Sequence, residues 1–246
     1  MKSTLSKAVT LLSLIAIIAC QENKEEAGPN TLSEIEMEEG WTLLFDGKTT
    51  DGWHLYNAGD VPSAWIVTEN GELYCKPDTF EVMHGDLLTD KSYSNFEMKF
   101  DWKISEAGNS GVFINVQEDE AYPTAWTTGP EYQLLDNLGI HAEYLHDSTH
   151  WAGCLYGFQK NLNTVTAKPA GEWNESMIKQ ENGRVQFWLN GVKTADQDLT
   201  GEEWKEKVAN SNFKTFEAFG VATSGHIALQ DWAKGVSFRN LKIREN

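Results

Sequence analysis

The stretch Asn95-Phe96-Glu97-Met98-Lys99-Phe100-Asp101-Trp102-Lys103-Ile104 alternates apolar and charged residues without a break from Phe96 to Ile104. Side chains in an extended strand point to opposite faces in turn, so Phe96, Met98, Phe100, Trp102 and Ile104 share one face and the charges share the other. This predicts a long strand with one buried and one wet face, and a period of two does not fit an amphipathic helix. Val185, Phe187 and Leu189 repeat the pattern between Arg184, Gln186, Trp188 and Asn190. Asn70-Gly71, Asn182-Gly183 and Asn190-Gly191 predict tight hairpins, because both central residues of a type I′ turn need positive φ. Near the C-terminus Val236 and Phe238 fall on one parity and Leu241 and Ile243 on the other, which predicts a bulge at Arg239-Asn240. The helix expected inside the domain is short, Glu202 to Asn210. Together these signals specify an all-β fold, a two-sheet antiparallel jelly-roll sandwich with one short helix. The 246 residues suit a single domain over 40–246.

The N-terminus reads differently. Lys2 and Lys7 precede an apolar run from Ala8 to Ala19, which is too short to span a bilayer and has the length of a signal h-region. Ile17-Ile18-Ala19-Cys20 is similar to the lipobox of bacterial lipoproteins, so residues 1–19 are expected to be a signal peptide and Cys20 the lipidated N-terminus. Several acyl chains would anchor the protein firmly where one would not. Residues 20–39 form an acidic tether, with seven Glu against one Lys over 21–39 and a turn of helix around Leu32 to Glu38. The resulting expectation is a lipoprotein anchored in a bacterial outer membrane, facing the periplasm or the cell surface.

The net charge of −17 makes nucleic acid an unfavourable partner, since like charge repels the phosphate backbone. Ten tryptophans suit either a sandwich core or the stacking of sugar rings. Cys75 and Cys154 are expected to remain reduced, and the cysteine spacing supports no metal cluster. Three of the six histidines crowd into His141 to His150, again without a metal-ligand motif. No metal and no cofactor is therefore expected to be required, although a structural Ca²⁺ is left open.

Chemistry concentrates in Gly129-Pro130-Glu131-Tyr132-Gln133-Leu134-Leu135-Asp136-Asn137. Glu131 and Gln133 share a strand face, and a bulge near Leu134-Leu135 would bring Asp136 onto it. Asn109-Ser110-Gly111 precedes this run, and Lys168-Pro169-Ala170-Gly171-Glu172-Trp173-Asn174 follows it. With Gly40-Trp41, Leu43-Leu44-Phe45-Asp46-Gly47, Gly52-Trp53 and Phe238-Arg239-Asn240-Leu241-Lys242-Ile243, this ordered set resembles the 3-keto-disaccharide hydrolase family over roughly residues 40 to 244.

The resemblance implies a concanavalin A-like jelly roll, in which glucanases carry catalytic carboxylates on a bulged strand at the offsets of Glu131, Gln133 and Asp136. It also implies cleavage of 3-keto-glycosides, by C2 proton abstraction and elimination followed by hydration, on sugars supplied by a 3-dehydrogenase. Glu131, Asp136, Glu172 and His150 are then the candidate acids and bases. Gln133, Asn109, Ser110, Trp126, Trp151, Lys168 and Asn174 are the candidate carbohydrate contacts. Where relatives have His after Leu229-Gln230-Asp231, this chain has Trp232. A non-catalytic carbohydrate-binding module and a conventional two-carboxylate glycosidase using Glu131, Asp136 or Glu172 remain alternatives.

Overall fold

The computed structural model describes residues 28–76, 81–139 and 147–246. The signal segment, Cys20, the start of the tether, His141 and His146 lie outside the described residues. The strands are β1 (Thr42–Leu43), β2 (Trp53–Leu55), β3 (Trp65–Val67), β4 (Leu73–Cys75), β5 (Leu87–Thr89), β6 (Phe96–Ile104), β7 (Asn109–Val116), β8 (Glu131–Leu135), β9 (Asn174–Glu181), β10 (Arg184–Leu189), β11 (Val192–Asp198), β12 (His226–Leu229) and β13 (Val236–Glu245). They form two antiparallel sheets. One runs β11-β10-β9-β6-β13-β4-β3 with β1 on β13, and the other runs β2-β5-β12-β7-β8. Two helices accompany them, α1 (Glu34–Glu38) and α2 (Glu202–Ala209).

Strand β6 lies mid-sheet between β9 and β13, and its burial alternates along all nine residues as the sequence pattern requires. Its apolar face meets Tyr132, Leu134, Val112 and Ile114 of the smaller sheet in one core. The bulge in β13 is present: the register shifts between Arg239 and Lys242, and Asn240 takes φ 53°. Asn30 locks it, because the backbone N–H of each asparagine donates to the side-chain oxygen of the other, at 2.7 and 2.8 Å. The chain is thus docked from Asn30 onward, before the expected end of the tether. Helix α1 follows at once, closed by a capping box between Ser33 and Glu36.

Two of the three Asn-Gly pairs turn as expected, with φ 51° and 77° at Asn182-Gly183 and 48° and 78° at Asn190-Gly191. At Asn70-Gly71 only the glycine has positive φ. The turn there is wider, with Gly71 N–H on the Thr68 carbonyl and Thr68 N–H on that of Glu72, so a single left-handed residue suffices.

The expected bulge near Leu134-Leu135 is absent. Strands β7 and β8 stay in continuous register from Asn109↔Leu135 to Phe113↔Glu131. The outer edge of β8 is covered by residues 153–156, with Gln133 N–H on the Cys154 carbonyl at 3.2 Å and Gly153 N–H on that of Gln133 at 2.8 Å. Cys75 and Cys154 are both buried and free of any disulfide. Among the described residues no helix is long and apolar enough to cross a membrane.

A buried polar tie joins the two sheets behind β8. The Tyr132 hydroxyl lies 2.7 Å from Ser176 Oγ and donates to the Trp188 carbonyl at 3.1 Å, and Ser176 Oγ accepts from Trp102 Nε1 at 2.8 Å. Removing one partner leaves buried polar atoms unpaired, which costs about 1–3 kcal/mol. Tyr132→Phe is expected to lower the urea midpoint by a corresponding amount without changing the m-value, measured by equilibrium unfolding.

Candidate active site

Strand register decides which residues meet on the outer face of the five-stranded sheet. Leu87, Leu229, Val112 and Tyr132 stand in one row across β5, β12, β7 and β8, and all four face the core. The rows on either side must therefore face outward. One holds Leu88, Ala228, Phe113 and Glu131; the other holds Asp86, Gln230, Gly111 and Gln133, with Gln230 N–H on the Gly111 carbonyl at 2.9 Å. The first row is apolar apart from Glu131 and joins Tyr56, Val116 and Ala125 in a second buried cluster.

The Glu131 carboxyl leaves its apolar row by lying over Gly111. A Cβ on that glycine would sit 2.0 Å from Glu131 Oε1, so only glycine leaves the space. Burial raises the Glu131 carboxyl well above the usual carboxylate range, and the charge of Asp86 adds to this. Asp86 is itself pushed up to about 7 by burial and by Asp231, against the opposing effect of backbone N–H groups of Asp231 and Ala125. Beside Glu131, Gln133 Nε2 donates to Asn109 Oδ1 at 3.2 Å, while Gln133 Oε1 is buried and accepts no hydrogen bond from the described residues.

A pocket of about 500 Å³ opens over Glu131, Gln133 and Asn109. Trp126, on a 3₁₀ turn, packs edge-on against Phe216 at 4.9 Å, and Phe213 continues that wall. Helix α2 supports it: Trp204 is buried, its Nε1 donates to the Gly220 carbonyl at 2.8 Å, and Phe158 and Phe219 stack between it and Phe213. Opposite, His150 presents its ring with Nδ1 3.1 Å from Asp147 Oδ2 and its edge against Tyr156. Hydrogen bonds from Thr149 hold Asp147 below the usual carboxylate range. Trp232, 65% exposed, stands at the rim.

Of the residues singled out from the sequence, Glu131, Gln133, Asn109, Trp126 and His150 line this pocket together. The others lie elsewhere. Without a bulge in β8, Asp136 keeps the opposite parity and accepts from the backbone N–H groups of Ala107 and Leu138, at 2.9 and 3.2 Å, as a turn clamp. Ser110 donates to the Gln230 carbonyl at 2.8 Å from the core side. Trp151 is surface-exposed beside the pocket without lining it.

Asn174 opens β9 of the other sheet, and Lys168 and Glu172 lie in the loop that leads into it. There Asn174 Oδ1 accepts from Lys168 N–H at 2.8 Å and from Asn190 Nδ2 at 3.0 Å, and Trp173 lies under Lys103 and Arg239. No carboxyl pair drawn from Glu131, Asp136 and Glu172 meets in the pocket, which only Glu131 of the three lines. Among the described residues no three His, Cys, Asp or Glu side chains gather as a metal site. Sequence reading missed Asp86, Asp147, Tyr156, Phe213, Phe216 and Gln230. The aromatic spacing Phe213, Phe216, Phe219 is the one local signal that could have indicated the wall.

The architecture is shared with solved structures. A crystal structure from Parabacteroides distasonis, provisionally described as a glycosyl hydrolase, superposes with a TM-score of 0.80 at 36% identity, covering 89% of this chain and all of that one. A second, from the same organism and described in the same way, gives 0.67 at 24% identity over 84% of this chain and 99% of its own, a likeness of fold. The fold and these relatives are those of a glycosyl-hydrolase type of β-sandwich enzyme. The profile of the 3-keto-alpha-glucoside-1,2-lyase-like domain matches residues 40–244, and the chain belongs to that family. It is 29% identical over 228 residues to the 3-keto-disaccharide hydrolase of Bacteroides thetaiotaomicron strain VPI-5482, spanning 84% of this chain and 78% of the relative.

Two outcomes follow from the geometry. Gly111→Ala is expected to fold, because the atoms displaced are the end of one side chain. The shifted Glu131 carboxyl should nonetheless lower turnover by about 10²-fold, the scale of an ångström's misplacement, measured beside a melting curve. A carboxyl with a raised folded pKa contributes stability that is fully present below its unfolded value and lost as pH rises through the folded one. Glu131→Gln should therefore melt above the native protein at pH 8 and converge with it near pH 4, read by scanning calorimetry.

Proposed function

We propose that this protein cleaves the glycosidic bond of 3-keto-glycosides by removing the C2 proton, expelling the C1 substituent and then adding water. The observation that carries this reading is one buried carboxyl, Glu131, raised by its burial above the usual carboxylate range and set over a glycine at the floor of a ring-sized pocket in a chain of this family. A C3 ketone acidifies the C2 hydrogen because the resulting anion is an enolate. A carboxyl with a raised pKa is a better base than an ordinary glutamate, provided it has lost its own proton.

Glu131 takes the C2 hydrogen, the electron pair moves into the enolate, and its collapse breaks the C1–O bond. His150, oriented through Nδ1 by Asp147, gives a proton to the departing oxygen. Water then enters and adds at C1, giving a proton back to His150, while Glu131, once its proton has exchanged with the entering water, reprotonates C2. Gln133 and Asn109 supply amide contacts to sugar hydroxyls, and the unsatisfied Gln133 Oε1 gains a donor when a hydroxyl arrives. Trp126 offers a ring face to the sugar. The substrate class accords with the name carried by the Bacteroides relative. A sugar 3-dehydrogenase would have to supply the ketone, and the lipobox at Cys20 would hold the enzyme at the outer membrane.

Glu131→Gln is expected to lower turnover of a 3-keto-glucoside by about 10²- to 10⁴-fold while sugar binding persists. Reaction in D₂O should place deuterium at C2 of the product, detected by NMR. Retention of the original C2 hydrogen throughout would eliminate the α-proton route. Cleavage of the parent glucoside at an equal rate would point to a conventional glycosidase, and binding without any product to a lectin-like module.

A further inference from the structure

Asp86 is a buried acid that the proposed reaction does not use. It stands in the outward row Asp86-Gln230-Gly111-Gln133, two strands away from the glycine over which Glu131 lies. Gly111 contributes no side chain to this row, so the bent Glu131 carboxyl occupies its place and shares the row with Asp86, with Gln230 of the intervening strand between them. Both are only 8% exposed. Asp86 Oδ1 accepts from Asp231 N–H at 3.1 Å, which holds its carboxyl against the end of β12.

The charged and titratable groups facing the pair on the described residues are few. Asp231 lies beside Asp86 and is paired through Oδ2 with His84 Nδ1 at 2.7 Å and with Gly85 N–H at 3.1 Å. Cys75 approaches Asp231, and Cys154 stands near Glu131. No lysine or arginine lines the pocket; His150, paired with Asp147, shares its lining with Glu131, and His84 is engaged by Asp231 at the surface. Two buried carboxyls in one row, with only the neutral Gln230 amide between their strands, repel one another when both are ionised.

We propose that Asp86 and Glu131 form a coupled carboxyl pair carrying at most one negative charge at neutral pH, with Asp86 as the positioning residue that decides when Glu131 is free to act as base. This rests on the reading of Glu131 as the base. The coupling itself is a property of the empty protein. While Asp86 holds its proton, Glu131 can ionise; when Asp86 is charged, Glu131 retains its proton. Burial raises both groups and the field of Asp86 reaches Glu131, in keeping with this arrangement. Members of such a pair titrate in two steps that belong to the pair.

The test is carboxyl-carbon NMR of the full domain labelled in Asp and Glu, titrated without substrate, with Glu131→Gln and Asp86→Asn used to assign the two signals. In the native protein the Glu131 signal is expected to show two inflections. In Asp86→Asn it should collapse to one, at least one pH unit lower than the upper native inflection. A single inflection in the native protein, or an unchanged Glu131 titration in Asp86→Asn, would overturn the proposal. The native titration alone decides the matter should the variant fail to fold.

The kinetic counterpart is the pH profile of kcat/KM on a 3-keto-glucoside. Its acidic limb should move down by the same interval in Asp86→Asn, whereas a residue with a purely structural role would scale the profile without moving it. A chain that shows the coupled titration but turns over no 3-keto-glycoside would refute the proposed reaction and leave the pair intact. Turnover with uncoupled titrations would do the reverse.

Discussion

The position of β8 depends on the phenol of Tyr132. Its hydroxyl reaches Ser176 Oγ and the Trp188 carbonyl on the opposite sheet, and Ser176 in turn accepts from Trp102 near the C-terminal end of β6. β8 is the last strand of the smaller sheet, with β7 on one side and the 153–156 segment on the other. An edge strand held by backbone bonds alone could slip or tilt, and a slip of one residue would exchange its two faces. The tie fixes Tyr132 inward, and alternation then sends Glu131 and Gln133 outward together.

The same alternation makes the site dry. Glu131 leaves a row of Leu88, Ala228 and Phe113, so its carboxyl has lost most of its water before any ligand arrives. A carboxylate there is costly, and burial raises the group well above the usual carboxylate range. Glu97, on the wet face of β6, shows the contrast: Arg244 and Lys179 pair with it and bring it below the usual range. Two glutamates on strands of one sandwich thus acquire opposite acid strengths from the face on which each falls.

The remainder of the pocket comes from distant parts of the chain. Helix α2 contributes nothing directly except through Trp204, whose burial holds the run from Asn210 to Phe216 against Trp126. The 147–157 segment brings His150 and Tyr156 while also sealing the edge of β8. One stretch of chain therefore performs both a structural and a chemical task, which is why a catalytic wall can be built from segments without regular secondary structure.

Much of the fold was legible because its causes are local. The alternation from Phe96 to Ile104, the Asn-Gly turns at 182–183 and 190–191 and the parity break before Leu241 each act within a few residues, and a period of two leaves little choice of structure. Glu131 and Gln133 were legible as a pair for the same reason, and Gly111 was noticed without its purpose. Parity alone could not settle whether Asp136 joined them, since an undetectable bulge would have reversed the answer; only the continuous β7–β8 register decided it. Nor could the sequence tell that Asn174, with Lys168 and Glu172 in the loop before it, belongs to the far sheet, or that Asp86 and Gln230 stand in one row with Gly111 and Gln133. Those facts follow from which strands pair and in what register, a property of long-range burial that no short window of residues contains.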